Sequence, residues 1–332
     1  MSQQFWPNTL QTEFFQSTEI NMRITLMHNP SAGHGKHRKK DLMAALAKTD
    51  HHAVYQSTKK RGYEKALKKP GDLVLVAGGD GTVTKIARRL IDTGIPLAVL
   101  PLGTANNLAR TLGFIVSPEE LIARLEDGKK HSFDVGVARG PWGARYFFEG
   151  AGAGLLADYV RAAKKEDKKP KSASKDREMA RHVSLLRQLL HDYPAQEWKI
   201  DIDGKNVSNN YILWEAMNVR SVGPALYFAP RATTKDAEFD FVCVREADRS
   251  LLLDHFDARL AGKKSKFPLP VRRFRRLRIL WQGSTLHFDD KLWPGKGERV
   301  ASPNEIEITV KPSALIILQP ATPAMNQAAK SK

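Results

Sequence analysis

The sequence has a single cysteine, Cys243, in 332 residues, so no internal disulfide framework can hold the chain together. Cys243 lies in the apolar run of residues 239–244 and reads as a small buried hydrophobe in a reducing compartment. No apolar run approaches the roughly 20 residues of a membrane-spanning helix, and the runs at residues 73–77 and 315–318 are strand-sized. The first twenty residues lack a basic start followed by a continuous apolar stretch, which argues against a secretory signal. They carry Phe5, Trp6, Leu10, Phe14 and Phe15, and read either as a frayed or packed leader or as a weak interfacial anchor. Acidic residues are also scarce: 36 Asp and Glu stand against 53 Lys and Arg, a formal charge of +17. Two stretches hold most of that excess, residues 161–181 and the acid-free residues 259–278. A field of this sign favours anionic partners such as nucleic acid, phosphorylated ligands or acidic lipid surfaces.

What is present is enough apolar residue, 42%, to build real cores, over a length that suits two domains better than one. The first half alternates strand and helix. Apolar runs at residues 22–28, 53–56, 72–77 and 96–100 read as strands, and helical spacing follows at 37–49, 63–68, 82–91 and 105–112. This alternation predicts a mostly parallel sheet flanked by helices, with ligands at the carboxyl ends of the strands. Near residue 133 the character changes. Residues 133–138, 146–149, 198–202, 211–217, 239–244, 277–281, 285–288 and 305–310 read as strands of an antiparallel β half. Its main helices fall in residues 157–193, broken at Pro170, with 164–175 as a solvated loop.

Three turns follow strands of the first half. Gly78-Gly79-Asp80-Gly81-Thr82 ends one strand and opens a helix. Its glycines let a ligand approach the backbone, and the helix start offers free N–H groups to a phosphate. Asp80, itself negative, suits a Mg²⁺-linked carboxylate or the acceptor of a proton from an attacking hydroxyl. Taken alone, the loop is also compatible with a plain β–α turn capped by Asp. Pro101-Leu102-Gly103-Thr104-Ala105-Asn106-Asn107 repeats the construction one strand later, and Asn29-Pro30-Ser31-Ala32-Gly33 follows the first strand.

These three segments, in this order and spacing, resemble the signatures of the diacylglycerol kinase catalytic-domain family, which includes bacterial lipid kinases and sphingosine kinases. The resemblance continues at Phe133-Asp134-Val135-Gly136, at residues 146–157, and at Asn218, Gly223, Ala229-Pro230, Asp236 and Asp240. It implies an α/β plus β fold, in which an N-terminal nucleotide domain like that of NAD kinases and phosphofructokinases is followed by a β-sandwich. The implied division is a leader at 1–21, the ATP-binding domain at 22–130, the acceptor-lipid domain at 131–311, and a segment at 312–332 that returns to the first domain before a disordered tail. It further implies ATP and Mg²⁺ as cofactors, with Asn29, Ser31, Thr58, Gly79, Gly81, Thr82, Gly103, Thr104 and Asn106 lining the nucleotide site. Asp80 and Asp289 would be catalytic, and Asp236 and Asp289 would be metal-linked.

Two positions depart from the family pattern. Where the family carries Asp-Gly-Glu, this chain has Asp289-Asp290-Lys291, and a lysine does not replace a carboxylate base. Either Asp80 or Asp290 then takes that role, or activity is altered. Glu149 stands where many members have Asn. The expected function is ATP-dependent transfer of the γ-phosphoryl group to a hydroxyl of diacylglycerol or a related lipid, by a cytoplasmic protein peripheral on an anionic membrane. The alternative is a non-catalytic nucleotide- or lipid-binding regulator, with NAD kinase a lesser one. Nucleic acid is disfavoured because no nucleic-acid fold signature accompanies the basic stretches, and a homodimer is left open. Gly152-Ala153-Gly154-Leu155-Leu156-Ala157 matches a dinucleotide fingerprint only weakly, Gly33-His34-Gly35-Lys36 has the wrong spacing for a P-loop, and His51-His52 has no metal-ligand partners.

Overall fold

The computed structural model describes residues 21–114, 116–166, 174–263 and 265–320. The aromatic leader, and residues 167–173 of the predicted solvated loop, lie outside the described residues. Strand β1 (Arg23–His28) is buried after its first residue, and β3 (Leu73–Gly78) is buried throughout. Such unbroken burial requires cover on both faces, as in a parallel sheet. Accordingly β1 pairs in parallel with β2 (His52–Ser57) and with β3, and β3 pairs with β4 (Pro96–Pro101). Ile24 stands opposite Ala53 and Leu73, and Val74 opposite Leu97. Helices α1 (Lys39–Leu46), α2 (Asp80–Ala87), α3 (Asn107–Thr111) and α4 (Pro118–Ala123) connect or follow these strands. Helix α2 starts inside the glycine loop, two residues before its predicted start, because extended Gly79 already accepts from the Thr82 and Val83 amides.

The second half is antiparallel. Strands β5 (Lys129–Gly140), β6 (Gly143–Phe147) and β7 (Gly150–Gly154) lead into α5 (Leu155–Glu166) and α6 (Lys175–His191). Then come β8 (Gln196–Ile202), β9 (Lys205–Asn206), β10 (Asn209–Met217), β11 (Phe239–Arg245) and α7 (Arg249–Leu260). The last strands are β12 (Arg272–Phe274), β13 (Arg276–Trp281), β14 (Leu286–Phe288), β15 (Lys291–Trp293) and β16 (Asn304–Gln319). One aromatic core, including Trp214, Trp281, Trp293, Phe239 and Phe274, fills the sandwich. A second cluster packs α5, α6 and α7 against Leu213 and Val242. Helix α7 escapes sequence periodicity because its buried residues are few, Leu252, His255 and Phe256.

Strand β16 is ten residues longer than a local apolar pattern suggests, because it serves both halves. Its start pairs antiparallel with β13, and its end pairs in parallel with β4, Ile316 opposite Pro96. Between them the register with β5 shifts at Ser313, which has φ +51°. Buried Asp134 holds that bulge by accepting from the Ser313 amide at 2.8 Å, and its other oxygen accepts from the Ala237 amide at 2.7 Å.

The segment that weakly matched a dinucleotide fingerprint is strand β7 followed by the start of α5; β7 is fully buried and antiparallel to β10 and β14. It therefore forms no dinucleotide turn. Its glycines make room for a buried carboxylate: a Cβ on Gly152 would lie 2.2 Å from Glu215 Oε2 and 2.4 Å from the Trp214 carbonyl oxygen. Gly152→Ala is expected to cost about 3 kcal/mol, as overpacking of a rigid core does. Gly94→Ala, where no atom lies within 4 Å but φ is +70°, is expected to cost about 1 kcal/mol. Urea midpoints check this, and equal midpoints for the two variants would contradict it.

Candidate active site

The three sequence loops meet at the carboxyl ends of β1, β3 and β4. Gly79 and Gly103 touch backbone to backbone, and a Cβ on Gly103 would lie 2.6 Å from the Gly79 Cα. Asn29 Nδ2 donates to Thr82 Oγ1 at 3.0 Å, and the Ser31 amide donates back to Asn29 Oδ1 at 3.2 Å. Asn106, held in the left-handed region at φ +51°, closes its own loop by accepting from the Gly103 amide and donating to the Gly103 carbonyl, both at 2.9 Å. Thr58 caps the end of β1 through the His28 carbonyl, 2.8 Å from its amide. The structure thus gathers Asn29, Ser31, Gly79, Thr82, Gly103 and Asn106 into one bed of backbone, with Thr58 beside it. Gly81 and Thr104 belong to the same two loops. Such a bed, followed by the start of α2, can hold a polyphosphate.

Opposite the bed stands the turn between β14 and β15, and its geometry depends on Asp289. This residue has φ +52° and a side chain only 1% exposed. Its Oδ1 accepts from the amides of Phe148 at 2.9 Å, Glu149 at 2.8 Å and Gly150 at 3.4 Å, and its own amide donates to the Gly150 carbonyl at 2.8 Å. Arg88, from the end of α2, approaches Oδ2 at 3.9 Å. Burial pushes the Asp289 carboxyl up to about 6 in spite of the Glu149 and Phe148 amides that pull it down. Asp289 is therefore the peg that fixes the turn, with one oxygen already spent on main-chain donors. The turn carries Asp290 to the first half, where a Cβ on Gly81 would lie 3.6 Å from Asp290 Oδ2. Lys291 Nζ sits 2.9 Å from the same oxygen.

Between bed and turn lies a cleft of 310 Å³ whose polar end is lined by Asp80, Glu149, Asp289 and Asp290. Asp80 Oδ1 accepts from the Leu108 amide at 3.1 Å. Burial raises its carboxyl, against the opposing amides of Asn107 and Leu108. Glu149 is raised well above the ordinary carboxyl value, first by burial and then by the charges of Asp80 and Asp289. Asn107 bridges the halves, donating from Nδ2 to Glu149 Oε2 and to the Gly223 carbonyl at 3.1 Å and accepting from Ser221 Oγ at 2.8 Å. Below the turn, His287 Nε2 meets Glu215 Oε2 at 2.9 Å, with both side chains almost wholly buried, and His287 Nδ1 reaches the Asp289 carbonyl at 3.1 Å. Burial pulls the His287 imidazole down, but the charge of Glu215 outweighs it and raises its pKa. The other end of the cleft is apolar, formed by Leu156, Tyr159, Val160 and Ala163 of α5 and by Val222.

Asp236 is not part of this site. It pairs with Arg273, which also holds Glu238 at 2.7 Å, and it does not line the cleft. The side chain that resemblance links to a metal thus already carries an internal cation. Among the described residues no group of three or more His, Cys, Asp or Glu side chains could hold a metal ion by itself. The carboxylates of Asp80 and Asp290 fit the other arrangement, in which Mg²⁺ takes one or two protein carboxylates and completes its shell with substrate phosphates. Sequence reasoning flagged Glu149 only as a departure from the family pattern and Asn107 only as the last residue of its loop, and it missed the pair Glu215 and His287 altogether. A charged residue in the otherwise apolar strand at Trp214-Glu215-Ala216 was the available signal.

Three arginines of the second basic stretch, Arg273, Arg275 and Arg278, are answered by acids distant in sequence. Arg275 meets Glu238 at 3.2 Å, and Arg278 meets Glu305 at 3.8 Å and Glu307 at 3.6 Å. No helix among the described residues is long and apolar enough to cross a membrane.

Comparison with known proteins agrees with this architecture. Residues 23–138 match the diacylglycerol kinase catalytic domain, and residues 162–319 match the YegS C-terminal NAD kinase beta sandwich-like domain. A diacylglycerol kinase of Mycobacterium tuberculosis is 24% identical over 314 residues, covering 90% of this chain and 95% of its own. One from Bacillus subtilis is 28% identical over 240 residues, covering 68% and 75%. A solved structure of a diacylglycerol kinase from Bacillus anthracis shares the fold, with a TM-score of 0.62 at 20% identity, covering 91% of this chain and 97% of that one.

The raised Glu149 carboxyl makes a pH-dependent prediction. A carboxyl that holds its proton more tightly when folded imposes no penalty below the unfolded value near 4.5, and weakens the fold as pH rises through the window above it. Glu149→Gln keeps the amide contact and removes that penalty. Its melting temperature should match the parent at pH 4 and exceed it at pH 8. A variant less stable than the parent at pH 8 would contradict the assignment.

Proposed function

The chain belongs to the diacylglycerol kinase catalytic-domain family, and on that premise we propose that it is an ATP-dependent lipid kinase, acting on a hydroxyl of diacylglycerol or a related lipid. The observation that carries this reading is the seating of Asp290 against Gly81, which sets an acidic turn of one half over the phosphate bed of the other. ATP would lie along the three loops, its phosphates on the amides that open α2. The acceptor hydroxyl would enter from the apolar arm, where Leu156, Val160 and Ala163 suit a hydrocarbon chain.

The hydroxyl oxygen attacks the γ-phosphorus in line, the bond from that phosphorus to the bridging oxygen of ADP breaks, and the hydroxyl proton passes to a carboxylate. Asp80 or Asp290 accepts it, since residue 291 is a lysine. Asp80 is suited by its raised pKa, which brings a carboxylate nearer to neutrality as a base. Bound Mg²⁺ would neutralise charge on the phosphates, held on the protein side by whichever carboxylate of Asp80 and Asp290 does not take the proton. The protein would meet its lipid at an anionic membrane surface in the cytoplasm, where each unpaired cation near the surface contributes about 1 kcal/mol.

Lys291 favours one second reading. Its ammonium lies on Asp290 Oδ2, which would mute that carboxylate and leave a nucleotide- or lipid-binding regulator. Purified protein with γ-labelled ATP, Mg²⁺ and a panel of diacylglycerols and sphingoid bases separates the two. Labelled lipid is expected from the parent chain, with a loss of about 10²–10⁴-fold in Asp80→Asn and a circular dichroism spectrum unchanged. ATP binding with no labelled lipid across the panel would establish the regulator instead, and undiminished transfer by Asp80→Asn would remove that residue from the mechanism.

A further inference from the structure

Helix α3 has a second side. Its first residue, Asn107, reaches into the catalytic cleft, whereas Arg110 and Thr111 at its other end line a separate cavity of 490 Å³. This cavity lies on the seam between the halves, where the ends of α3 and β16 and the start of β5 meet the segment before β11. Arg110, His131, Arg220 and Lys235 line it together with hydroxyls such as those of Thr111 and Thr233, and no carboxylate is among its lining residues.

The two arginines are held by main chain and not by acids. Arg220 donates from Nε to the Ala232 carbonyl at 3.3 Å, and its amide is fixed on Thr111 Oγ1 at 3.2 Å. Arg110 donates from Nε to the Ala105 carbonyl at 2.8 Å. Neither guanidinium has a carboxylate partner among the described residues. Several other arginines of this chain do find one, as Arg187 finds Asp257, Arg245 finds Asp248 and Arg249 finds Glu246. The charge of Arg110 also reaches Lys175 and Arg259, helping burial to hold both below their ordinary values.

We propose that this cavity is a second anion site, built for a phosphomonoester. Two guanidiniums fixed through their Nε atoms keep their outer N–H edges for an oxyanion, the geometry that suits phosphate better than a point charge does. Lys235 and the hydroxyls supply the remaining donors. A volume of 490 Å³ exceeds what a bare phosphate fills, so the ligand carries an organic remainder. The same group occurs on a soluble phosphorylated metabolite and on a phospholipid headgroup. The inference does not depend on what the catalytic cleft phosphorylates.

Calorimetric titration of the full chain with glycerol 3-phosphate tests it, with Lys235→Ala, Arg220→Ala and Asn29→Ala as variants. Loss of one charge-assisted contact predicts binding about tenfold weaker or more in the first two, and binding within about twofold of the parent in Asn29→Ala, which alters the loops at the ends of β1 and β3 and not this cavity. Lys235 is exposed, so its variant is expected to keep the parental fold, which circular dichroism checks. Absence of saturable binding, or weakening in Asn29→Ala with none in the other two, would overturn the proposal. Vesicles of phosphatidylcholine doped with phosphatidic acid distinguish the sources: competition with glycerol 3-phosphate points to a lipid headgroup, and its absence to a soluble ligand.

Discussion

A single carboxylate oxygen, Asp289 Oδ1, accepts from three consecutive main-chain amides at residues 148–150, and the rest of the site is arranged around that contact. It joins the β14–β15 turn to the start of β7, so that Asp290 and Glu149 face the cleft together. Arg88 extends the same clamp to α2, whose first turn forms the phosphate bed. Buried amides left without an acceptor would each cost about 1–3 kcal/mol, so the turn has little freedom to drift. The buried pair of His287 and Glu215 supports it from beneath, and the glycines of β7 exist because that carboxylate needs their space.

A second constraint follows from the first. Four carboxylates crowd one end of the cleft, and the charges of Asp80, Asp289 and Asp290 add to burial in raising the cost of ionising Glu149. The chain accepts that instability at the point where a cation or a phosphate-bound metal would relieve it, and it keeps Asn107 and Arg88 as the neutral and positive partners nearby. The same logic is absent at Asp236, where Arg273 has already supplied the compensating charge.

The parallel half was legible in the sequence because its signals are local. Unbroken apolar runs such as Leu73 to Ala77 and Leu97 to Leu100, ended by Gly78 and Pro101, define both the strands and the loops at their ends. What stayed hidden depends on residues far apart in the chain. Strand β7 offers in sequence only a weak dinucleotide fingerprint until Glu215 is seen against it, and the length of β16 follows from two different neighbours. Arg273, Arg275 and Arg278 look like part of a free patch until Glu238, just before β11, and Glu305 and Glu307 of β16 are brought to them. The membership of Asp80 in an acidic cluster required Glu149 and Asp289, which lie 69 and 209 residues away in the numbering.

The account places nucleotide phosphate and acceptor hydroxyl between the glycine loop of one half and the Asp289–Asp290 turn of the other. The most direct measurement is a crystal structure of the chain with Mg²⁺ and a non-hydrolysable ATP analogue. The account predicts the γ-phosphate over the Gly81 amide, with Asp80 and Asp290 on either side of it and the apolar arm along α5 left open. A nucleotide seated away from the glycine loop, or a γ-phosphate pointing away from both carboxylates, would contradict it.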